Sequence, residues 1–179
     1  MMEMKFGSLI LTCLICTALM AAVSAEEISQ DPVTVNLDLG DLEDYMIDEG
    51  DSIKISHCER PKFDYTIYPV TIESGESWIE LEVHELDEPT EMTSWILEHC
   101  LITAGLATLT EEYEGAGESF TIDGHDAIMV TTSDGDQPVY SAVYSPDEEG
   151  SWGRLLFLIS SDLPWDVTEK IFGSIEVDE

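Results

Sequence analysis

Residues 119–161 read SFTIDGHDAIMVTTSDGDQPVYSAVYSPDEEGSWGRLLFLISS, and the predicted architecture depends on this stretch. Four apolar runs occupy residues 120–122, 127–130, 139–144 and 155–159. Turn signals separate the runs at Asp123-Gly124, at Asp134-Gly135 and at 146–150. Asp-Gly between β-forming residues is a strong hairpin signal, because glycine accepts the positive φ that the turn needs. The stretch therefore predicts an antiparallel meander of four strands.

The last two runs of the meander are apolar on both faces. In a strand over 155–159, Phe157 would point to one side of the sheet and Leu158 to the other. A strand with water on one side alternates more sharply between apolar and polar residues. We therefore expect the centre of the sheet to be covered above and below, with Phe157 and Leu158 both enclosed.

Two segments have the pattern of covering helices. Residues 88–107 are apolar around most of a helical circumference, with Pro89 in the first turn and Glu91 near the positive end of the helix dipole. In residues 162–173, Asp162 is a candidate N-cap and Gly173 a candidate terminator. The stripe on this second helix consists of Val167, Ile171 and Phe172.

Upstream segments predict further strands. Residues 33–39 alternate as a half-buried strand does, and short strands are expected at 52–56, 63–72, 78–83 and 174–177. Pro69 predicts that its strand lies at an edge or ends there, because proline cannot donate to a ladder. Residues 40–51 predict a solvated acidic loop, with a calcium site as the alternative, although the spacing does not fit an EF-hand.

Together these elements predict an α+β fold. An antiparallel meander would be covered on both faces by two main helices, as an α/β/α sandwich, and the N-terminal strands would complete the second layer. The length is that of one domain, so residues 26–179 predict a single acidic domain.

The order strand pair, helix, meander, helix, strand over residues 63–177 resembles the PsbP/Mog1-like group of secreted or lumenal domains. The resemblance rests on FTIDGHDA at 120–127, PVYSAVY at 138–144, LLFLISSDLPWD at 155–166 and KIFGSIEV at 170–177. The group's Tyr-Pro-x-x-Trp motif is only partly present, as Tyr68-Pro69-Val70-Thr71. The resemblance implies a non-enzymatic domain that binds or assembles with other proteins, and it carries over no catalytic residue.

Residues 1–25 have the pattern of a signal peptide. Residues 6–23 are uncharged and mostly apolar, and Val23-Ser24-Ala25 supplies the small residues that precede a cleavage site. We expect cleavage after Ala25. The alternative is an uncleaved anchor through residues 6–23, since about 18 apolar residues is the lower limit for a span. Both alternatives predict a secreted, extracellular or cell-surface protein.

The chain is strongly acidic, with 39 Asp and Glu against 6 Lys and Arg, a net charge of −33. Such a field repels nucleic acid and anionic membranes. Acidic, lysine-poor surfaces suit concentrated salt, which screens the self-repulsion. The composition therefore predicts a halophilic-type protein of a salt-adapted microbe, most typically an archaeon. Loose association of cations with the acidic surface is the competing interpretation.

Two cysteines remain after the predicted cleavage, Cys58 and Cys100. An even number of cysteines in an extracellular protein favours a disulfide between them. Two free buried thiols are one alternative. A zinc site with His57 and His99 is another, but adjacent residues on a helix point about 100° apart, which disfavours shared coordination by His99 and Cys100.

The sequence predicts no catalytic residues, no metal site and no cofactor. It contains no Gly-x-Ser-x-Gly, His-Glu-x-x-His, phosphate-loop or Gly-x-Gly-x-x-Gly motif. His84 and His125 are expected to be solvated. Trp95 is expected in the core, and partial burial is expected for Trp78, Trp152 and Trp165.

We therefore expect a non-catalytic structural or interaction domain with an unidentified protein partner. A cation-binding or small-ligand-binding module is the first alternative, and a carboxylate-based hydrolase is the second.

Overall fold

A computed structural model of the chain describes residues 25–30, 32–40, 42–56, 64–93, 118–134 and 137–178. Within these ranges the chain forms eleven strands and one helix, and the strands make up two antiparallel sheets. The elements are β1 (Ala25–Gln30), β2 (Val33–Asp38), β3 (Tyr45–Glu49), β4 (Ile53–Ile55), β5 (Tyr65–Ser74), β6 (Ser77–Glu91), β7 (Glu118–Ile122), β8 (His125–Asp134), β9 (Gln137–Tyr144), β10 (Trp152–Ser161), α1 (Trp165–Phe172) and β11 (Glu176–Asp178).

The larger sheet has the strand order β3-β5-β6-β10-β9-β8-β7, and β4 pairs with β5 beside β3. The smaller sheet has the order β1-β2-β11. Strands β7 to β10 lie side by side in chain order, so the predicted four-strand meander is confirmed. At the β7–β8 hairpin, Asp123 and Gly124 both have positive φ, of 53° and 76°. Such values are typical of the type I′ turn that Asp-Gly favours.

One hydrophobic core joins the two sheets and α1. The first face of the larger sheet, which packs on the smaller sheet, contributes Ile79, Leu81, Val83, Phe157 and Ile159. Opposite them lie Val35 and Leu37 of β2 and Ile171 and Phe172 of α1. All of these side chains are buried. Burying each large aliphatic or aromatic side chain contributes roughly 1.5–3 kcal/mol, so this interface supplies most of the force that holds the layers together.

The second face of the larger sheet is also buried at its centre. Val143, Leu156 and Leu158 are 0% exposed, as is Phe157 on the first face. The prediction that Phe157 and Leu158 are both enclosed is therefore confirmed. The predicted layering is wrong, because the cover on the first face is mainly a second sheet, with one short helix beside it. The described protein is mostly strand, so an α+β sandwich with two main helices is replaced by two packed antiparallel sheets.

The predicted start of the 88–107 helix is also wrong. Residues up to Glu91 belong to β6, where Thr90 pairs with Gly153 and Glu91 with Trp152. Pairing with β10 overrides the local helical pattern, and Pro89 is tolerated because it has no ladder partner in β10. The remainder of the predicted helix, 94–107, lies outside the described residues.

The C-terminal helix forms, but it begins later than expected. Pro164 occupies the N-cap position, and no side chain caps the helix. The predicted cap, Asp162, instead accepts a 2.8 Å hydrogen bond at Oδ1 from the N–H of Trp78 on β6. Gly173 ends the helix as predicted, with its N–H donating to Glu169 O. The carboxylate of Asp162 therefore joins two strand ends and does not cap α1.

Pro69 lies inside an internal strand, contrary to the expected edge position. Strand β5 lies between β6 and the pair β3 and β4. The carbonyl of Pro69 accepts from the N–H of Gly50, in the segment between β3 and β4. The N and O of one strand residue point to the same side, so the missing N–H of Pro69 faces the break between these two short strands. The proline therefore removes no ladder bond with β6.

Residues 45–49 form β3 within the segment that was expected to be an acidic loop. Tyr45 Oη contacts the carboxylate of Glu26 on β1, which links the two sheets near one edge. This hydrogen bond raises the pKa of the Tyr45 phenol above its ordinary value. The acidic residues of the segment are therefore displayed along an edge strand, which discourages edge-to-edge aggregation.

Candidate functional site

The most irregular part of the larger sheet lies where β6 meets β10. Thr90 pairs with Gly153 and Glu85 pairs with Leu155, so four β6 residues stand opposite Arg154 alone. We call residues 86–89 the β6 insertion. Bulges of this kind are over-represented beside functional sites, because they redirect side chains at the rim of a sheet. The residues around this insertion are therefore the first candidates for a site.

Arg154 holds the β6 insertion in place. Its Nε and Nη2 atoms donate to the carbonyl of Leu86 at 3.2 and 3.1 Å, and Nη2 lies 3.5 Å from Glu85 Oε1. Lys54 of β4 pairs with Asp87 in the insertion. Within the described residues, these are the ion pairs that involve lysine or arginine. Two of the three lysine and arginine side chains of the described residues, Lys54 and Arg154, therefore pair at this one feature, and the third, Lys170, lies on α1.

The loop between β9 and β10 is organised by Asp147. Its Oδ2 accepts from the N–H of Arg154 at 2.7 Å, and its Oδ1 accepts from the N–H of Leu155 at 2.9 Å. Ser145 Oγ is 3.1 Å from Asp147 Oδ1 and 2.8 Å from the carbonyl of Leu155. A Cβ at Gly153 would lie 2.3 Å from Ser145 Oγ and 2.7 Å from Asp147 Oδ1. Only glycine fits beside this network.

A cavity of about 190 Å³ opens beside the insertion. Its described lining residues are Pro32, Glu85, Asp147, Arg154 and Leu155. Pro32 comes from the connection between β1 and β2, so the cavity lies where the smaller sheet meets one end of β6 and β10. Two carboxylates, one guanidinium and two apolar side chains converge here, and this combination can bind a ligand that carries charge.

A second group of polar side chains lies on β6. His84 is 3% exposed, its Nε2 lies 2.6 Å from Glu82 Oε2, and its ring stacks on Tyr65 with centroids 5.2 Å apart. The prediction that His84 is solvated is therefore wrong. The Glu82 carboxylate, two residues away, pairs with the imidazole of His84, and Tyr65 packs on its face. These contacts suit a structural role.

Glu80 lies at the exposed end of the same row. Partial removal of water from its carboxylate, followed by the charge of Glu82, raises its pKa above the ordinary value of glutamate. A carboxyl group whose pKa is higher in the folded than in the unfolded protein destabilises the folded state once it ionises. The free energy of unfolding therefore falls as the pH rises from the ordinary pKa of glutamate to the raised pKa of Glu80. Repulsion between neighbouring carboxylates is therefore already present within one strand.

A third group surrounds the buried phenol of Tyr144. The Tyr144 ring stacks on His125 at a centroid distance of 5.8 Å, and its Oη has no hydrogen-bond partner in the described part of the chain. Burial, followed by the charge of Asp123, raises the pKa of Tyr144. His125 is half-buried against this ring, so its predicted solvation is wrong as well. Stacking supplies a structural reason for the histidine.

The other predicted site residues have mixed outcomes. Cys58 and Cys100 lie outside the described residues, as do His57, His99 and Trp95, so the disulfide stays a prediction. Trp78 and Trp165 are partly buried as expected, whereas Trp152 is 54% exposed. In the described ranges, no group of three or more potential ligands could hold a metal ion. No helix in those ranges combines the length and apolar character needed to cross a membrane.

Sequence reasoning missed Arg154 and Asp147. A signal for the arginine was present, because only 6 of 179 residues are lysine or arginine and a scarce cation is seldom placed without a partner. No sequence signal distinguished Asp147 from the other 38 acidic residues. The sequence matches no protein-family model, no curated protein and no solved structure at a significant level.

Proposed function

We propose that this chain is a non-catalytic domain that works outside the cell, in a structural or protein-interaction role, and that its acidic surface adapts it to concentrated salt. The observation that carries the proposal is the position of the charge. Among the residues whose side chains the structure describes, no Asp or Glu is buried, while the core is apolar. The acidic residues therefore form a hydrated coat around an ordinary hydrophobic core.

The coat makes folding costly in dilute buffer. With a net charge of −33 and few basic partners, carboxylates face one another across the surface, as Glu80 and Glu82 do. The Debye length falls from about 10 Å at 0.1 M salt to about 3 Å at 1 M, so molar salt removes most of this repulsion. Stability should therefore rise with salt concentration.

Thermal unfolding in KCl from near zero to 3 M tests the proposal. We expect the melting midpoint to rise over the whole range. A variant with Asp48→Asn, Glu49→Gln and Asp51→Asn removes three exposed charges near the edge of the sheet. This variant should melt higher than the wild type in dilute buffer and show a flatter salt dependence. A wild-type midpoint that stays level or falls would refute salt adaptation.

The interaction role is supported by large apolar side chains at the surface. Met46 and Ile53 lie on the strands that pair with the same side of β5, and Trp152 begins β10. Affinity capture from the native extracellular fraction should recover one partner in roughly equal amount. Capture with Trp152→Ser and with Met46→Ser identifies which side of the domain the partner contacts. Recovery of no stoichiometric partner would leave the structural role and remove the interaction role.

A further inference from the structure

The cavity beside the β6 insertion brings both signs of charge together. Arg154 contributes a guanidinium from β10, Glu85 a carboxylate from β6, and Asp147 a carboxylate from the β9–β10 loop. Pro32 and Leu155 supply apolar wall. In a chain with 39 acidic and 6 basic residues, a guanidinium in a cavity is an unusual placement.

The guanidinium of Arg154 is oriented but not saturated. Nε and Nη2 both donate to one carbonyl, that of Leu86, and this fixes the plane of the group. The hydrogen bonds of Arg154 within the described residues use Nε and Nη2, which leaves the two N–H groups of Nη1 without an acceptor there. A fixed guanidinium with free donors recognises a carboxylate at low entropic cost.

The neighbouring carboxylates exclude a simple anion. Glu85 is held at both oxygens, by Arg154 at Oε1 and by the hydroxyl of Tyr68, 3.2 Å from Oε2. Asp147 is held by the backbone N–H groups of Arg154 and Leu155. An anion in the cavity would meet two fixed negative charges, and a cation would meet the guanidinium. A ligand with one charge of each sign can satisfy all three groups.

The cavity is partly open to solvent, and its volume suits a small ligand. A water molecule takes about 30 Å³ of liquid, so a cavity of about 190 Å³ corresponds to roughly six waters. It is smaller than the range of about 300–1,000 Å³ that holds drug-sized ligands. The apolar wall of Pro32 and Leu155 suits a short aliphatic part between or beside the charges.

We propose that this cavity binds a small zwitterion with an ammonium and a carboxylate group, in the size class of a short free α-amino acid. Its carboxylate pairs with Nη1 of Arg154, and its ammonium lies toward Glu85 and Asp147. The inference is independent of salt adaptation, because it depends on the cavity and not on the acidic coat.

An NMR titration of the full chain after any natural cleavage tests the site, in KCl at a concentration where the protein is folded. The probes are L-alanine, acetate and methylammonium, since the last two each carry one of alanine's charged groups. We expect saturable shifts for the backbone amides of Asp147, Arg154 and Leu155 with alanine. Acetate and methylammonium should each bind at least tenfold more weakly.

Two variants and a control assign the interaction. Arg154→Lys keeps the charge but removes the fixed fork, so alanine should bind at least tenfold more weakly. Glu85→Gln should weaken alanine and methylammonium while strengthening acetate. Lys170→Gln on α1 removes an exposed charge that is not among the described lining residues, and it should leave binding unchanged. If Arg154→Lys does not fold, Glu85→Gln alone decides the question.

Three results would overturn the proposal. Shifts that do not saturate, or that spread over the whole surface, would mean that no built site exists. Equal affinity for acetate and alanine would make the cavity an anion site, and equal affinity for methylammonium and alanine would make it a cation site. Loss of salt-dependent stability in the separate melting experiment would not affect any of these readouts.

Discussion

Two connections in the same meander are held by different forces. The β7–β8 hairpin turns through Asp123 and Gly124. Their positive φ values reverse the direction of the backbone, and no described side chain packs where a Cβ of Gly124 would lie. The β9–β10 connection is longer, and Asp147 holds it through bonds to Arg154 and Leu155. Gly124 has open space around a would-be Cβ, whereas Gly153 has none.

Glycine is therefore required for two separate reasons within one sheet. At Gly124 the reason is the dihedral angle, which costs a residue with a Cβ about 1–2 kcal/mol in the left-handed region. At Gly153 the reason is the volume already filled by Ser145 and Asp147. The first connection should tolerate substitution with a small loss, and the second should lose its whole network.

The largest effect is expected for Gly153→Ala. The new Cβ must displace Ser145 Oγ and Asp147 Oδ1, which lie 2.3 and 2.7 Å from its position. Overpacking costs about 1–3 kcal/mol, and the lost hydrogen bonds add to it, so we expect a loss of about 3 kcal/mol in the free energy of unfolding. Urea denaturation at fixed KCl measures it. A loss no greater than that of Gly124→Ala would contradict the distinction between the two connections.

Asp147→Asn should have the next largest effect. The substitution keeps the side-chain shape but replaces a charged acceptor with an amide, whose NH₂ group cannot accept from the backbone. Hydrogen bonds to charged groups contribute about 1.5–3 kcal/mol, so we expect a loss near 2 kcal/mol by urea denaturation. Glu148→Gln is the control, because it removes the same charge from an exposed neighbour. A loss equal to the control's would mean that the β9–β10 connection does not depend on Asp147.

Gly124→Ala should have the smallest effect, a loss of about 1 kcal/mol, since only the backbone angle is strained. Gly124→Asn should lose less, because asparagine tolerates the left-handed region better than alanine does. Unfolding of both variants under the same conditions gives the comparison. If alanine and asparagine destabilise equally, backbone strain is not the reason for glycine at this turn.

The same division explains how much of the fold the sequence predicted. The meander and its Asp123-Gly124 turn were predicted because their signals are local. The helix expected from residue 88 was wrong, because pairing of Thr90 and Glu91 with β10 is set by residues about 60 positions away. The sequence could not predict that a second sheet covers the first face of the larger sheet. No local pattern shows that β2 pairs with β11 and lies over Phe157.

The candidate site was predictable only in part. The scarcity of basic residues is a signal that could have pointed to Arg154, but its partner is a backbone carbonyl in an insertion that exists only through the register of β6 and β10. His84 was misjudged because its position near the end of an alternating run gave no sign of Tyr65. The surroundings of Arg154 and of His84 are set by contacts between segments that are distant in sequence.

The pairing of β2 with β11 has a consequence for the order in which the protein is built. The side chains of Asn36 and Asp178 meet across 142 residues of sequence, so this ladder closes one of the longest loops in the described chain. Closing such a loop is entropically costly, and contacts of this range form late. The edge of β2 that pairs with β11 therefore stays open until the chain has been made as far as residue 178. Until then β2 presents an open strand edge, to which a strand of another chain can add.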